Sequence, residues 1–282
     1  MEIKPYTQAL RNKLLFNWVP AIRPLVYTFY TPQAAPVFVM GNQKSGTSAV
    51  AALLARACGL SYDIDIGGFR VPEYTDIYAD QTKLSSLIRR RAKIEFSKGL
   101  VKEPNLTFLL PEIRRLHPRS RLAFVVRDPR ANIRSTLNRL EIPGNLQSIV
   151  PDEYPELSPM WRAILFNEWV GDPGRKLNYI GRSAERWRIA TEHYQNAGEA
   201  AALIRYEDFK RTKQAAIEDL ARRLGLVVKH DISSFVDVQF QPAGQQTTDF
   251  LSFFGSANLA TIEQECAAGM RLFQYHTSPK SI

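Results

Sequence analysis

The chain has 282 residues, 45% of them hydrophobic, enough to bury one substantial α/β core, although length alone would also allow two smaller domains. Its two cysteines, Cys58 and Cys266, cannot form a disulfide framework, and no C-x-x-C pair or histidine cluster suggests a metal site. A net charge of +9 and a pI near 9.6 imply attraction to polyanions, and a small ligand carrying several negative charges would account for part of that excess.

In chain order, residues 14–30 form an aromatic and apolar stretch after Lys4, Arg11 and Lys13. Pro20, Arg23 and Pro24 interrupt it, so it lacks the ~20 uninterrupted apolar residues of a spanning helix, and no small-residue cleavage site follows. The expectation is an N-terminal segment, 1–35, packed on the core, with peripheral membrane contact through 14–30 as the alternative. Residues 37–40 then read as an apolar strand leading into Gly41-Asn42-Gln43-Lys44-Ser45-Gly46-Thr47-Ser48, with an Ala/Leu-rich helix over 49–58. Gly41 and Gly46 permit a tight turn, and amides opening a helix favour an anion, so this loop is expected to bind phosphate. Its lysine is displaced. In G-x-x-x-x-G-K-[ST] the lysine follows the second glycine, whereas here Thr47 holds that slot and Lys44 precedes it by three, which argues against a nucleoside triphosphate.

Further along, 99–102 reads as a strand, 105–116 as a helix, 121–127 as a strand and 129–140 as a helix. Residues 141–182 break the pattern with five prolines around Trp161, Phe166 and Trp169, and are expected to form an insertion near an acceptor pocket. A helix over 183–196, a strand over 201–205 and a helix over 213–224 closed by Gly225 complete the alternation. It predicts a single α/β domain over 36–282, a P-loop-like fold with a central parallel sheet flanked by helices, and ligands at the carboxyl ends of the strands. Lys44, Lys102, Arg127 and Tyr206 fall at those ends. The run Arg89-Arg90-Arg91-Ala92-Lys93 offers charge without a stacking platform and reads as a solvated helix face, so no nucleic-acid partner is expected.

Two motifs in this order, Lys44-Ser45-Gly46-Thr47 after the first strand and Arg127 at a later strand end with Ser135 eight residues on, resemble the PAPS-dependent sulfotransferase family. Arg205-Tyr206-Glu207-Asp208 and the tail 258–275 are weaker echoes, and the resemblance spans roughly 36–275. It implies that Lys44, Ser45, Gly46, Thr47 and Ser48 hold the 5′-phosphosulfate end of 3′-phosphoadenosine 5′-phosphosulfate (PAPS). It further implies that Arg127 and Ser135 hold the 3′-phosphate and that Tyr206 lies near the adenine. The implied activity is sulfuryl transfer to a hydroxyl of a glycan, lipid or natural product, leaving 3′-phosphoadenosine 5′-phosphate (PAP); the composition, for its part, fits a cytoplasmic enzyme, with membrane association as the alternative.

Lys44 is suited to neutralise the leaving oxygen, which makes a metal unnecessary, and Lys102 resembles the family's second active-site lysine. Cytosolic small-molecule members carry a histidine base two residues after that lysine, where this chain has Pro104. Glycan- and lipid-sulfating members use a glutamate after the first helix, and Val71-Pro72-Glu73-Tyr74 resembles that segment, so Glu73 is the expected base, with Glu103 and Asp65 behind it. None of the four histidines falls in a base segment; surface or capping positions are expected for them. A P-loop kinase and a basic nucleic-acid-binding protein are the alternative classes.

Overall fold

The computed structural model describes residues 27–66, 73–198, 201–238 and 249–276. Most of the segment 14–30 therefore lies outside the described residues. Tyr27 is buried and the Gln33 N–H donates to Phe96 O at 2.8 Å, while Phe29 between them is exposed.

The elements, in order, are β1 (Val37–Met40), α1 (Thr47–Cys58), β2 (Tyr62–Ile64), α2 (Glu73–Ala79), α3 (Lys83–Arg91) and β3 (Leu100–Lys102). After a 3₁₀ turn, Pro104–Leu109, come α4 (Leu110–Leu116), β4 (Arg121–Val126), α5 (Pro129–Leu140), α6 (Pro159–Leu165) and α7 (Tyr179–Ala197). Then follow β5 (Ala201–Arg205), α8 (Tyr206–Arg211), α9 (Lys213–Arg223), α10 (Phe250–Glu265) and α11 (Ala267–Leu272). The five strands form one sheet in the order β2-β3-β1-β4-β5, every pair parallel.

Strand β1 shows why the sheet must be covered on both faces. Phe38 and Met40 join the core beneath α4, α5 and α7, while Val37 and Val39 join the one beneath α1 and α9. Both clusters are continuous through β3 and β4. Because strands are parallel and in register, their carboxyl ends line one edge: Val39 pairs with Lys102, Met40 with Phe124, and Val126 with Arg205. Asp65, Lys102, the loop after Met40, Arg127 and Tyr206 stand along this edge in sheet order, with the winding direction reversing about β1.

The helix expected over 105–116 is two pieces. Pro111 has no N–H to give the carbonyl four residues back, so the ladder breaks and a 3₁₀ turn precedes α4. Helix α7 begins four residues before the expected start, because the Asn178 side chain caps it by accepting from Gly181 N at 2.9 Å. The tail is α10, bent at Gly255 (φ 69°), followed by α11. His117 is not at the surface: it caps α4 and is buried against Phe38 and Phe96. Both cysteines are buried free thiols. Arg89, Arg90 and Arg91 are exposed on α3. Among the described residues no helix is long and apolar enough to cross a membrane.

Candidate active site

The loop between β1 and α1 turns on three left-handed residues, Gly41 (φ 134°), Lys44 (φ 64°) and Gly46 (φ 92°). A Cβ on Gly41 would sit 2.2 Å from Val125 O, and one on Gly46 would sit 2.3 Å from Cδ2 of Tyr206. The glycines are therefore required by close approach as well as by φ. Thr107 braces the loop's start, accepting from Gly41 N at 2.9 Å. Asn132 of α5 braces its middle, donating to Gln43 O at 2.7 Å and Ser45 Oγ at 3.0 Å. Ser45 and Thr47 are almost fully buried, so what the loop offers outward is its backbone amides at the α1 N-terminus together with the half-buried Lys44.

Arg127 follows β4 directly. Its Nη1 donates to Lys44 O at 3.0 Å and its guanidinium lies 4.7 Å over the Tyr206 ring, so Lys44, Arg127, Gly46 and Tyr206 form one contiguous group. Ser135 is half-buried on α5, three residues beyond Asn132 and hence on the same helical stripe. Burial lowers the Lys44 pKa, and the charges of Arg139, Arg127 and Lys102 lower it further. Burial likewise lowers that of Arg127. Four cations thus converge on one loop, an arrangement an anion with several charges would relieve.

On the other side of the loop Lys102 is buried, with Nζ donating to Asp65 Oδ1 at 2.5 Å, while the Asp65 side chain remains 63% exposed. Glu103 points elsewhere. Its Oε1 accepts from Asn105 N at 3.0 Å and its Oε2 from Ile66 N at 3.2 Å, capping the 3₁₀ turn. Burial and, second, the charge of Asp65 push its pKa up from 4.5 to about 7. A carboxyl raised in the fold holds its proton more tightly there than in the unfolded chain. Its contribution to stability is therefore present below the unfolded value and falls as pH rises from about 4.5 to about 7. Melting curves taken across that window should show the decline in wild type and a flatter profile in Glu103→Gln; parallel profiles would contradict this.

No protein-family model matches the sequence, and no curated protein matches it. Solved structures do. The mouse sulfotransferase SULT7A1, crystallised with PAP, superposes with a TM-score of 0.51 at 13% identity, covering 87% of this chain and 88% of that one. The sulfotransferase STF1 from Mycobacterium tuberculosis H37Rv superposes at 0.50 with 14% identity, covering 88% and 80%. The chain has the sulfotransferase fold.

Within that fold the expected residues divide into two groups. Lys44, Ser45, Gly46, Thr47, Ser48, Arg127 and Tyr206 are gathered about the loop, with Ser135 one turn along the adjoining helix. Lys102 stands on the opposite side with Asp65. Glu73 opens α2, and further along that helix the Tyr78 hydroxyl donates to Asn105 O at 2.8 Å and its ring stacks on Trp169 at 5.7 Å. Sequence reasoning missed Asn132, Arg139, Thr107 and Asn105. Asn132 and Arg139 lie seven residues apart on α5, and that spacing was the one signal available. Arg130, which a reading of isolated charge clusters would leave in solvent, is buried and joins Asp128 at 2.6 Å to Glu263 at 2.9 Å, tying α5 to α10.

Proposed function

We propose that this chain transfers a sulfuryl group from PAPS to an acceptor hydroxyl. The observation that carries the reading is the contact of Arg127 with both Lys44 O and the Tyr206 ring, which sets a guanidinium and an aromatic face beside a lysine-bearing phosphate loop. A donor with phosphates at both ends of a nucleoside needs charge at two places joined by a stacking surface. The loop suits the 5′ end, Arg127 and Ser135 the 3′-phosphate, and Tyr206 the base. The buried Thr47 at the position of a triphosphatase lysine disfavours a magnesium nucleotide.

When bound, PAPS would supply the sulfuryl group and a phosphate leaving group. The work of the chain is to place charge and to take a proton. Lys44, with loop amides behind it, neutralises the leaving oxygen, and Lys102 adds positive charge on the acceptor side. A carboxylate takes the acceptor proton, for which Glu73 is our choice. The segment 141–182, which brings Trp169 onto Tyr78 and Met160 Sδ to 3.8 Å from Asn105 Nδ2, shapes the acceptor pocket on this reading. A cytoplasmic location accords with two buried free thiols.

The reading is tested by Arg127→Ala. A charge-assisted contact to phosphate should be lost, so calorimetry should show PAP binding weakened on the order of 10-fold or more, with a much smaller change for 5′-AMP. Equal losses for both ligands would remove the 3′-phosphate role from Arg127.

A further inference from the structure

Arg186 of α7 is 1% exposed. A guanidinium in the core costs several kcal/mol unless its donors are used, so what they hold is informative. Nε donates to Gln43 Oε1 at 3.2 Å, Nη2 to Asn105 Oδ1 at 2.8 Å, and Nη1 approaches Asn167 Oδ1 at 3.5 Å. Its Cζ lies 4.2 Å over the Phe108 ring. Gln43 Nε2 also donates to Asn105 Oδ1, at 2.6 Å, so Gln43, Asn105 and Arg186 close a buried triangle. Asn167 in turn donates to Glu185 Oε2 at 2.9 Å, which links the cation to a fully buried carboxylate through one amide.

Gln43 immediately precedes Lys44, whose left-handed backbone costs roughly 1–2 kcal/mol in a residue other than glycine. Such a conformation persists where its surroundings over-determine it. Here Gln43 O is held by Asn132, Lys44 O by Arg127, and the Gln43 side chain by Arg186 and Asn105.

We propose that Arg186 is a positioning residue for the phosphate loop: through Gln43 and Asn105 it clamps the backbone on the N-terminal side of Lys44, so that the loop amides and the lysine are fixed before the donor arrives. What the loop binds rests on the function proposed above; the clamp itself does not. Arg186 acts without touching the ligand. Its planar fork spans Gln43 and Asn105 together, which a lysine ammonium in the same place cannot reproduce.

The test uses Arg186→Met, Arg186→Lys, Gln43→Ala and the double variant Arg186→Met/Gln43→Ala in the full chain. Amide hydrogen exchange over residues 41–48, with no ligand present, should rise by about 10-fold or more in each, while β4 and the rest of α7 keep their protection. PAP affinity should fall by about 10-fold, since small misplacements of binding groups are costly, and the double variant should be no worse than the weaker single one. A residue serving only core stability would instead loosen α7 as a whole and leave loop exchange and PAP affinity at wild-type values, which would overturn the proposal. Should Arg186→Met fail to fold, Gln43→Ala carries the same two readouts, and wild-type behaviour there overturns it as well. Failure of the wild-type chain to bind PAP would sink the donor assignment while exchange still decides the clamp.

Discussion

Lys44→Met is expected to abolish sulfuryl transfer, by a factor of at least about 10², while leaving the fold intact. On the proposed mechanism, charge develops on the leaving oxygen as its bond to sulfur breaks, and Lys44 would be the cation that the loop carries to that place. The variant should not cost stability. Burial first, and then the charges of Arg139, Arg127 and Lys102, already disfavour the charged form of the half-buried Lys44. Methionine keeps the unbranched stem without the terminal ammonium and meets the same left-handed backbone as lysine. Assayed with labelled PAPS, Lys44→Met should show a normal melting transition and no transfer; turnover at the wild-type rate would dismantle the mechanism.

Glu73→Gln is expected to lower transfer by roughly 10²-fold or more with unchanged PAP affinity, the usual scale for loss of a general base. The substitution is isosteric and lies at the first residue of α2. Two neighbouring carboxylates serve as comparisons. Both oxygens of Glu103 accept backbone N–H groups, so Glu103→Gln should disturb the cap after β3 more than the chemistry. Asp65 is exposed and ion-paired with Lys102, so Asp65→Asn should free that lysine without removing the base. If Asp65→Asn or Glu103→Gln proves inactive while Glu73→Gln turns over normally, the base lies beside Lys102 instead.

Much of the fold is legible in the sequence because its causes are local. The apolar run Val37-Phe38-Val39-Met40, glycines with left-handed φ in the loop that follows and a proline opening α5 each act within a few residues. Parallel pairing then carries Lys102, Arg127 and Tyr206 to one edge without further information. What escaped the sequence depends on contacts between distant positions. Gln43 and Arg186 are separated by 143 residues and Arg130 and Glu263 by 133, and neither pairing has a periodic or compositional sign. The split of 105–116 is legible in the sequence, since Pro111 disfavours a continuous helix there.

The central claim is that the loop and Arg127 together bind a nucleotide phosphorylated at both ends, without metal. Isothermal titration of the wild-type chain in the presence of a chelator tests it directly. The account predicts saturable binding of PAP, at least about 10-fold weaker binding of 5′-AMP, and no binding of ATP that depends on added magnesium. Equal affinity for PAP and 5′-AMP, or tight binding confined to magnesium-ATP, would contradict it.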